Sequence, residues 1–249
     1  MPAMSGVFSS RDDAQRALEA LGSLGVADTK TSLLTPGERR EQAEWVRFDA
    51  AESPGGGKGQ PGLPSVFLPG VGWVTGAGPL AIAILRAAGA RIDAAVGGSA
   101  QEILVEALPE DEIFLYEDAL REGRSVVVAL AEDAIAAEPI RESLVQQGAE
   151  ASDARRQQWW LGLRDNEREH YSASGRNFSK DEKFYRLGFE AALHARTRCM
   201  EFDQVSAEMD SRLEDLQRQY PDSDIEEPFT RGYQRGREYF QALCDERAA

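Results

Sequence analysis

The sequence predicts an α+β fold in the first 151 residues and a mostly α-helical domain in residues 152–249. Three observations lead to this division. Up to residue 151, short apolar runs alternate with amphipathic segments, in the order strand, helix, strand, helix, strand, helix and a short last strand. A segment rich in glycine, alanine and proline, residues 52–109, interrupts this order and is predicted to be an insertion. Beyond residue 151 the apolar residues recur at helical spacing in four separate segments.

The chain begins with a predicted strand–helix–strand unit. Residues 6–8 form a short apolar strand, and Ser10 precedes acidic residues, as at the N-cap of a helix. Apolar residues then recur at helical spacing up to Leu24, where Gly25 provides the expected C-cap. Residues 29–34 are β-branched and apolar enough for a second strand.

The insertion and the segment before it contain few regular signals. Residues 38–51 are charged but include Trp45 and Phe48, which suits a short helix or an edge strand. Residues 52–64 contain three consecutive glycines and are typical of a flexible linker.

Residues 66–85 carry no charge, so a membrane span is one interpretation of them. Pro69 and Pro79 interrupt a helix in this stretch, and charged residues follow it closely. We favour a loop leading into a small-residue helix over 79–90, with a second helix over 101–108. Such helices would pack against the domain or against a second copy of it.

The remaining part of the α+β domain is predicted from residue 109 onward. An acidic amphipathic helix has Ile113, Tyr116 and Leu120 on one stripe, and residues 125–130, SVVVAL, form a buried strand. A second helix covers 134–147, and its predicted inward residues are Ile140, Leu144 and Val145.

Two further features complete this domain. Pro139 fits the second helix only if it lies in the first turn. Residues 149–151 form a short last strand. The resulting order is that of a ferredoxin-like split βαβ sandwich that carries a helical insertion.

Three stretches of residues 5–150 resemble one bacterial family. They are VFSSRDDAQRALEALGSLGV, LPGVGWVTGAGPLAIAIL and LPEDEIFLYEDALREGRSVVVALAED. Together they resemble the heat-induced general-stress domain of the YflT type, whose acidic helix with a Tyr-Glu pair leads through a glycine into a valine strand. The matching positions are Tyr116, Glu117, Gly123 and residues 126–128. The resemblance implies a role in stress response.

The sequence departs from this family in the central segment. Many relatives have a longer glycine-zipper hairpin that is membrane-seeking. Here the segment is shorter and contains Arg86, Arg91 and Asp93, which argues against insertion into a membrane.

The C-terminal domain is predicted to consist of helices over 153–169, 180–200, 204–219 and 229–244, the second opened by a capping box of Ser179 and Glu182. It contains an internal repeat, since FYRLGF over 184–189 is similar to PFTRGY over 228–233. The repeat resembles the tandem YR-x-G-Y helical repeat that follows stress domains in some bacterial proteins. We expect two pseudo-symmetric helices in contact through their glycines. The expected packing residues are Gly188, Gly232, Tyr185, Phe189, Phe229, Tyr233, Trp159 and Trp160.

One spacing suggests a metal site. Glu167-x-x-His170 matches one half of a carboxylate di-iron signature. The other histidine gives Glu190-x-x-x-His194, which is the wrong spacing for a second copy. These four residues are weak metal candidates, and we expect no cofactor.

Composition excludes several classes of function. The formal net charge of −15 disfavours nucleic-acid partners, which require clustered Lys and Arg. The two histidines and the absence of a nucleophile elbow leave no catalytic constellation. Two cysteines, Cys199 and Cys244, and no signal peptide at the start indicate a cytoplasmic protein, with a redox role for the cysteines as an alternative.

The sequence therefore predicts a non-enzymatic stress-response or scaffold protein that acts by self-association, as a homo-oligomer, or by binding protein partners. A first alternative is a small-molecule or metal-handling protein that uses the C-terminal helices, whose aromatic residues could form the floor of a pocket. A second is a membrane-associated protein that inserts residues 66–85.

Overall fold

The computed structural model of the chain describes residues 2–37, 65–92, 109–198 and 200–248. Within these ranges the predicted α+β class is confirmed by eight α-helices and a five-stranded antiparallel sheet. The chain divides into an N-terminal unit, Met1–Arg156, and a C-terminal unit, Gln157–Ala249. The predictions for residues 38–64 and 101–108 lie outside the described residues.

The N-terminal unit contains all five strands and four complete helices. In chain order these are β1 Ala3–Phe8, α1 Arg11–Ser23, a 3₁₀ turn Asp28–Lys30, β2 Thr31–Pro36, β3 Val66–Leu68, β4 Gly72–Ala77, α2 Pro79–Ala87, α3 Ile113–Arg121, β5 Ser125–Leu130 and α4 Ala134–Gln146. The strand order is β1-β5-β2-β4-β3, and all neighbours are antiparallel.

The sheet is built from two interlocked split βαβ units. Strands β1 and β2 run parallel with β5 between them, and β4 and β5 run parallel with β2 between them. The order differs from that of a ferredoxin-like sandwich, in which the first strand is central. Here β1 lies at an edge, and the last strand is central.

Helices cover both faces of the sheet. On one face, Leu33 and Val127 pack in a cluster with the apolar residues of α1 and α4. On the other, the main-chain N–H of Leu80 in α2 donates to Ser32 Oγ at 2.9 Å. All six residues of β5 are therefore buried, which explains the continuous apolar run SVVVAL.

Local signals place α1 correctly. Ser10 Oγ accepts a hydrogen bond from the main-chain N–H of Asp13 at 3.1 Å, as an N-cap should. Gly25 follows the helix with φ of 85°, a left-handed conformation that favours glycine.

Helix α4 differs from the prediction in two ways. Val145, predicted to face inward, is 51% exposed, while Ile140 and Leu144 are buried. Pro139 lies inside the helix rather than in its first turn, since Asp133 is the N-cap. Proline has no N–H, so Pro139 leaves the main-chain carbonyl of Ile135 without its helical hydrogen bond. The proline is tolerated here because Ile135 is 85% exposed and water can bond this carbonyl.

The prediction of a loop at the start of the insertion is wrong. Residues 66–77 form the hairpin β3–β4, which extends the sheet, so they belong to the fold of the domain. The turn needs glycine because Gly70 and Gly72 have φ of 72° and 111°. The predicted helix beginning at Pro79 is confirmed as α2. No helix in the described part of the chain is long and apolar enough to cross a membrane.

The C-terminal unit is helical. Its elements are α5 Ser152–Ser172, which begins in the N-terminal unit, α6 Phe178–Leu193, a 3₁₀ turn Phe202–Gln204, α7 Ser206–Gln219 and α8 Glu226–Ala248. Helix α6 is shorter than predicted. Its N-cap is Asn177, whose side chain accepts from the N–H of Lys180, so the predicted capping box of Ser179 and Glu182 is wrong.

Candidate functional site

The two repeats of the sequence meet at a close crossing of α6 and α8. A Cβ atom added at Gly188 would overlap the main-chain carbonyl oxygen of Phe229, and one at Gly232 would overlap that of Tyr185. One turn further along α8, Gly236 lies against the main chain of Phe189. The backbones of the two helices therefore touch without intervening side chains.

The aromatic residues of the two repeats pack against different helices, with Phe189 of the first repeat against α5 and Phe229 and Tyr233 of the second against α7. On the α5 side, Phe189 contacts Trp159 and Trp160, with ring centroids 5.8 and 6.0 Å apart. On the α7 side, Phe229 and Tyr233 share an apolar cluster with residues of α7. All of these rings are buried, so the predicted packing residues form the interior of the helical unit.

A buried carboxylate, Glu167 of α5, joins three helices. Its side chain is only 2% exposed. Tyr185 of α6 donates its hydroxyl to Glu167 Oε2 at 2.7 Å, and Arg235 of α8 donates Nε at 3.1 Å. Burial and the adjacent carboxylate raise the pKa of the Tyr185 hydroxyl well above its usual value.

Two similar clusters lie nearby. Tyr171 donates to Asp181 Oδ2 at 2.8 Å, and burial together with this bond raises the pKa of Tyr171 to about 12. Arg176 also donates to Asp181, at 3.1 Å, and to Asp224 at 2.6 Å. These bonds connect the start of α6 to the segment before α8.

The third cluster is centred on Glu182. Arg164 donates to both of its oxygens at 2.6 and 2.7 Å, and Trp160 Nε1 donates at 3.0 Å. The hydrogen bonds from Arg164 hold the pKa of this carboxyl below its usual value. Glu182, assigned from the sequence to a cap, therefore connects α6 to α5.

Three of the four weak metal candidates are bonded to different partners, and the fourth, His170, lies on the wall of a small cleft. Glu167 is bonded by Tyr185 and Arg235, whereas Glu190 accepts from Arg186 Nε at 2.6 Å. His194 accepts from a main-chain N–H through Nδ1. In the described ranges no group of three or more His, Cys, Asp or Glu is arranged to hold a metal ion.

A polar cluster in the N-terminal unit was missed from the sequence. Glu112 Oε2 accepts from Ser5 at 2.7 Å, Tyr116 at 2.6 Å and Ser152 at 2.9 Å. Burial and this carboxylate raise the pKa of the Tyr116 hydroxyl. The cluster ties β1 and α3 to the start of α5, and its members are too far apart in the sequence to form a recognisable motif.

Comparison of the chain with protein-family models, with curated proteins and with solved structures gives no match. The resemblance of residues 5–150 to the general-stress domain therefore stays a prediction.

Proposed function

We propose that the protein is a non-enzymatic, cytoplasmic stress-response or scaffold protein that acts by self-association or by binding protein partners. The resemblance of residues 5–150 to the general-stress domain supports the stress role. For the fold of this domain we infer a variant of the ferredoxin-like sandwich, because the sheet keeps two interlocked split βαβ units although different strands are central.

One observation carries the non-enzymatic part of the proposal. The buried carboxylates of the C-terminal unit are each bonded by side chains of other helices or of a neighbouring loop, as Glu167 is by Tyr185 and Arg235. A catalytic acid or base needs access to a substrate and a pKa near the working pH. Carboxylates held by arginine and hydroxyl donors instead connect helices into a firm module.

Exposed apolar side chains can form the buried centre of a contact with a partner. In each unit some are available, although single exposed residues are common on protein surfaces. Among the residues that the structure describes, the large apolar side chains that are more than two-fifths exposed are Leu24, Phe67, Ile135, Val145 and Leu161. The high negative charge directs the proposal toward protein partners rather than nucleic acid.

Light scattering of the full chain over a range of concentrations tests the proposal. We expect a mass of at least two chains. Ile135→Glu in the N-terminal unit and Leu161→Glu in the C-terminal unit form a matched pair, and a lower mass in one of them assigns the contact to that unit. A strict monomer that also retains no protein partner in a pull-down would contradict the proposal.

A further inference from the structure

A small cleft lies beside the helix crossing in the C-terminal unit. Its volume is about 90 Å³, the space of about three water molecules in the liquid. The residues that line it are His170 and Tyr171 of α5, Tyr185 of α6, and Arg231, Gln234, Arg235 and Glu238 of α8. The cleft differs from the glycine contact in its chemistry, because polar side chains form its walls.

Two arginines on one face of α8 are held in place by carboxylates. Glu227 accepts from Nε and Nη2 of Arg231 at 3.0 and 2.9 Å. Arg235 donates Nε to Glu167 at 3.1 Å and Nη1 to Glu238 at 3.2 Å. The bond to buried Glu167 orients the guanidinium group of Arg235 before any ligand arrives, which lowers the entropy cost of binding. The pair of Arg231 with Glu227 is exposed and orients its guanidinium group less.

Each of the two arginines has one further side-chain nitrogen that can donate a hydrogen bond to a ligand. Within the described residues, Nη1 of Arg231 and Nη2 of Arg235 donate no hydrogen bond, nor do the side chains of His170 and Gln234. The cleft thus combines two guanidinium edges, an amide and an imidazole around a space of a few atoms. Donors of this kind recognise oxygen atoms that carry negative charge.

We propose that this cleft binds a small oxyanion of the carboxylate or phosphate class. Arg231 and Arg235 supply cationic donors, although Arg231 is also paired with Glu227, and Arg235 with Glu167 and Glu238. Gln234 and His170 supply further donors at the rim. Glu238 is the acidic group that faces the cleft, and its bond to Arg235 offsets part of its repulsion. The proposal gives a ligand class to the small-molecule role that the C-terminal helices suggested, and it is independent of self-association.

The two histidines of the chain provide a reporter and an internal control. Inorganic phosphate and, separately, acetate are titrated into the full chain at constant pH and ionic strength, with chloride as the balancing anion, while the ring protons of His170 and His194 are followed by NMR. We expect a saturable shift of His170 and an unchanged His194. Saturation by phosphate or by acetate identifies the class that fits.

Variants of exposed residues make the test specific. Arg231→Gln should weaken binding about 10-fold or more, as loss of a charged hydrogen bond does, and Gln234→Ala should weaken it less. Arg212→Gln is the matched control, because Arg212 forms the same kind of helical pair with Glu208 outside the cleft. Shifts that are linear, that are equal at both histidines or that are unchanged by Arg231→Gln would overturn the proposal, as would no shift with either anion.

Discussion

Gly188 and Gly232 hold equivalent places in the crossing of α6 and α8. Each lies against the main-chain carbonyl of the residue three positions before the other, Phe229 and Tyr185 respectively. This reciprocal contact is what a local two-fold relation between the repeats requires. It explains why both repeats place a glycine between aromatic residues, since the helices touch there and the rings pack to either side.

Glu167→Gln should destabilise the C-terminal unit. The substitution keeps the shape of the side chain but removes the negative charge to which Arg235 and Tyr185 donate hydrogen bonds. We expect a loss of roughly 2–3 kcal/mol in the free energy of unfolding, less than the 3–5 kcal/mol of a fully buried pair because Arg235 is 28% exposed.

Glu238→Gln is the control for this variant in denaturant unfolding. Glu238 bonds the same arginine but is 64% exposed, so we expect a change within about 0.5 kcal/mol. Equal effects of the two substitutions would show that Glu167 is not the structural carboxylate we describe.

The Tyr171 hydroxyl should make stability fall at high pH. Its folded pKa of about 12 lies above the ordinary value of 10.0, so the folded state keeps the proton longer than the unfolded state does. The contribution is complete below pH 10 and is lost as the pH rises to about 12, roughly 2–3 kcal/mol in all.

Tyr171→Phe checks this pH dependence. The variant keeps the ring but loses the bond to Asp181, so its deficit in unfolding free energy should be largest near pH 8 and should shrink toward pH 12. A deficit that is the same at both pH values would refute the assignment.

The start of α6 provides a test of the corrected cap. Asn177→Ala removes the side chain that accepts from the N–H of Lys180 and should cost about 1 kcal/mol. Ser179→Ala, two positions later, should change stability by less than about 0.5 kcal/mol because Ser179 is exposed inside the helix. Thermal unfolding of the two variants compares them, and the reverse ranking would restore the predicted capping box.

The parts of the fold that could be predicted from the sequence are those with local causes. Ser10 and Gly25 set the ends of α1 through their own backbone bonds and conformations. The run SVVVAL is a continuous apolar segment because the strand is buried on both faces, and such a segment is recognised from the sequence as a buried strand. Gly188 and Gly232 were found because the repeat itself is visible in the sequence.

The parts that could not be predicted depend on distant partners. Glu167 meets Arg235 across 68 positions, and no spacing rule connects them. The hairpin of residues 66–77 was missed because its three glycines and Pro69 are typical of a loop, whereas its stability comes from pairing with β2. Val145 is exposed because the buried stripe of α4 passes through Ala137, Ile140 and Leu144, and the residue after Leu144 lies off this stripe.

The unfolding free energies of Gly188→Ala, Gly232→Ala and Gly162→Ala test most directly the claim that a glycine crossing organises the C-terminal unit. A methyl group at Gly188 or Gly232 meets the main chain of the opposite helix, so we expect each to cost at least about 1–3 kcal/mol. Gly162 of α5 has no atom within 4 Å of the added carbon, so alanine there should stabilise by about 0.5–1 kcal/mol. If Gly188→Ala and Gly232→Ala were as stable as Gly162→Ala, α6 and α8 would not meet at these residues.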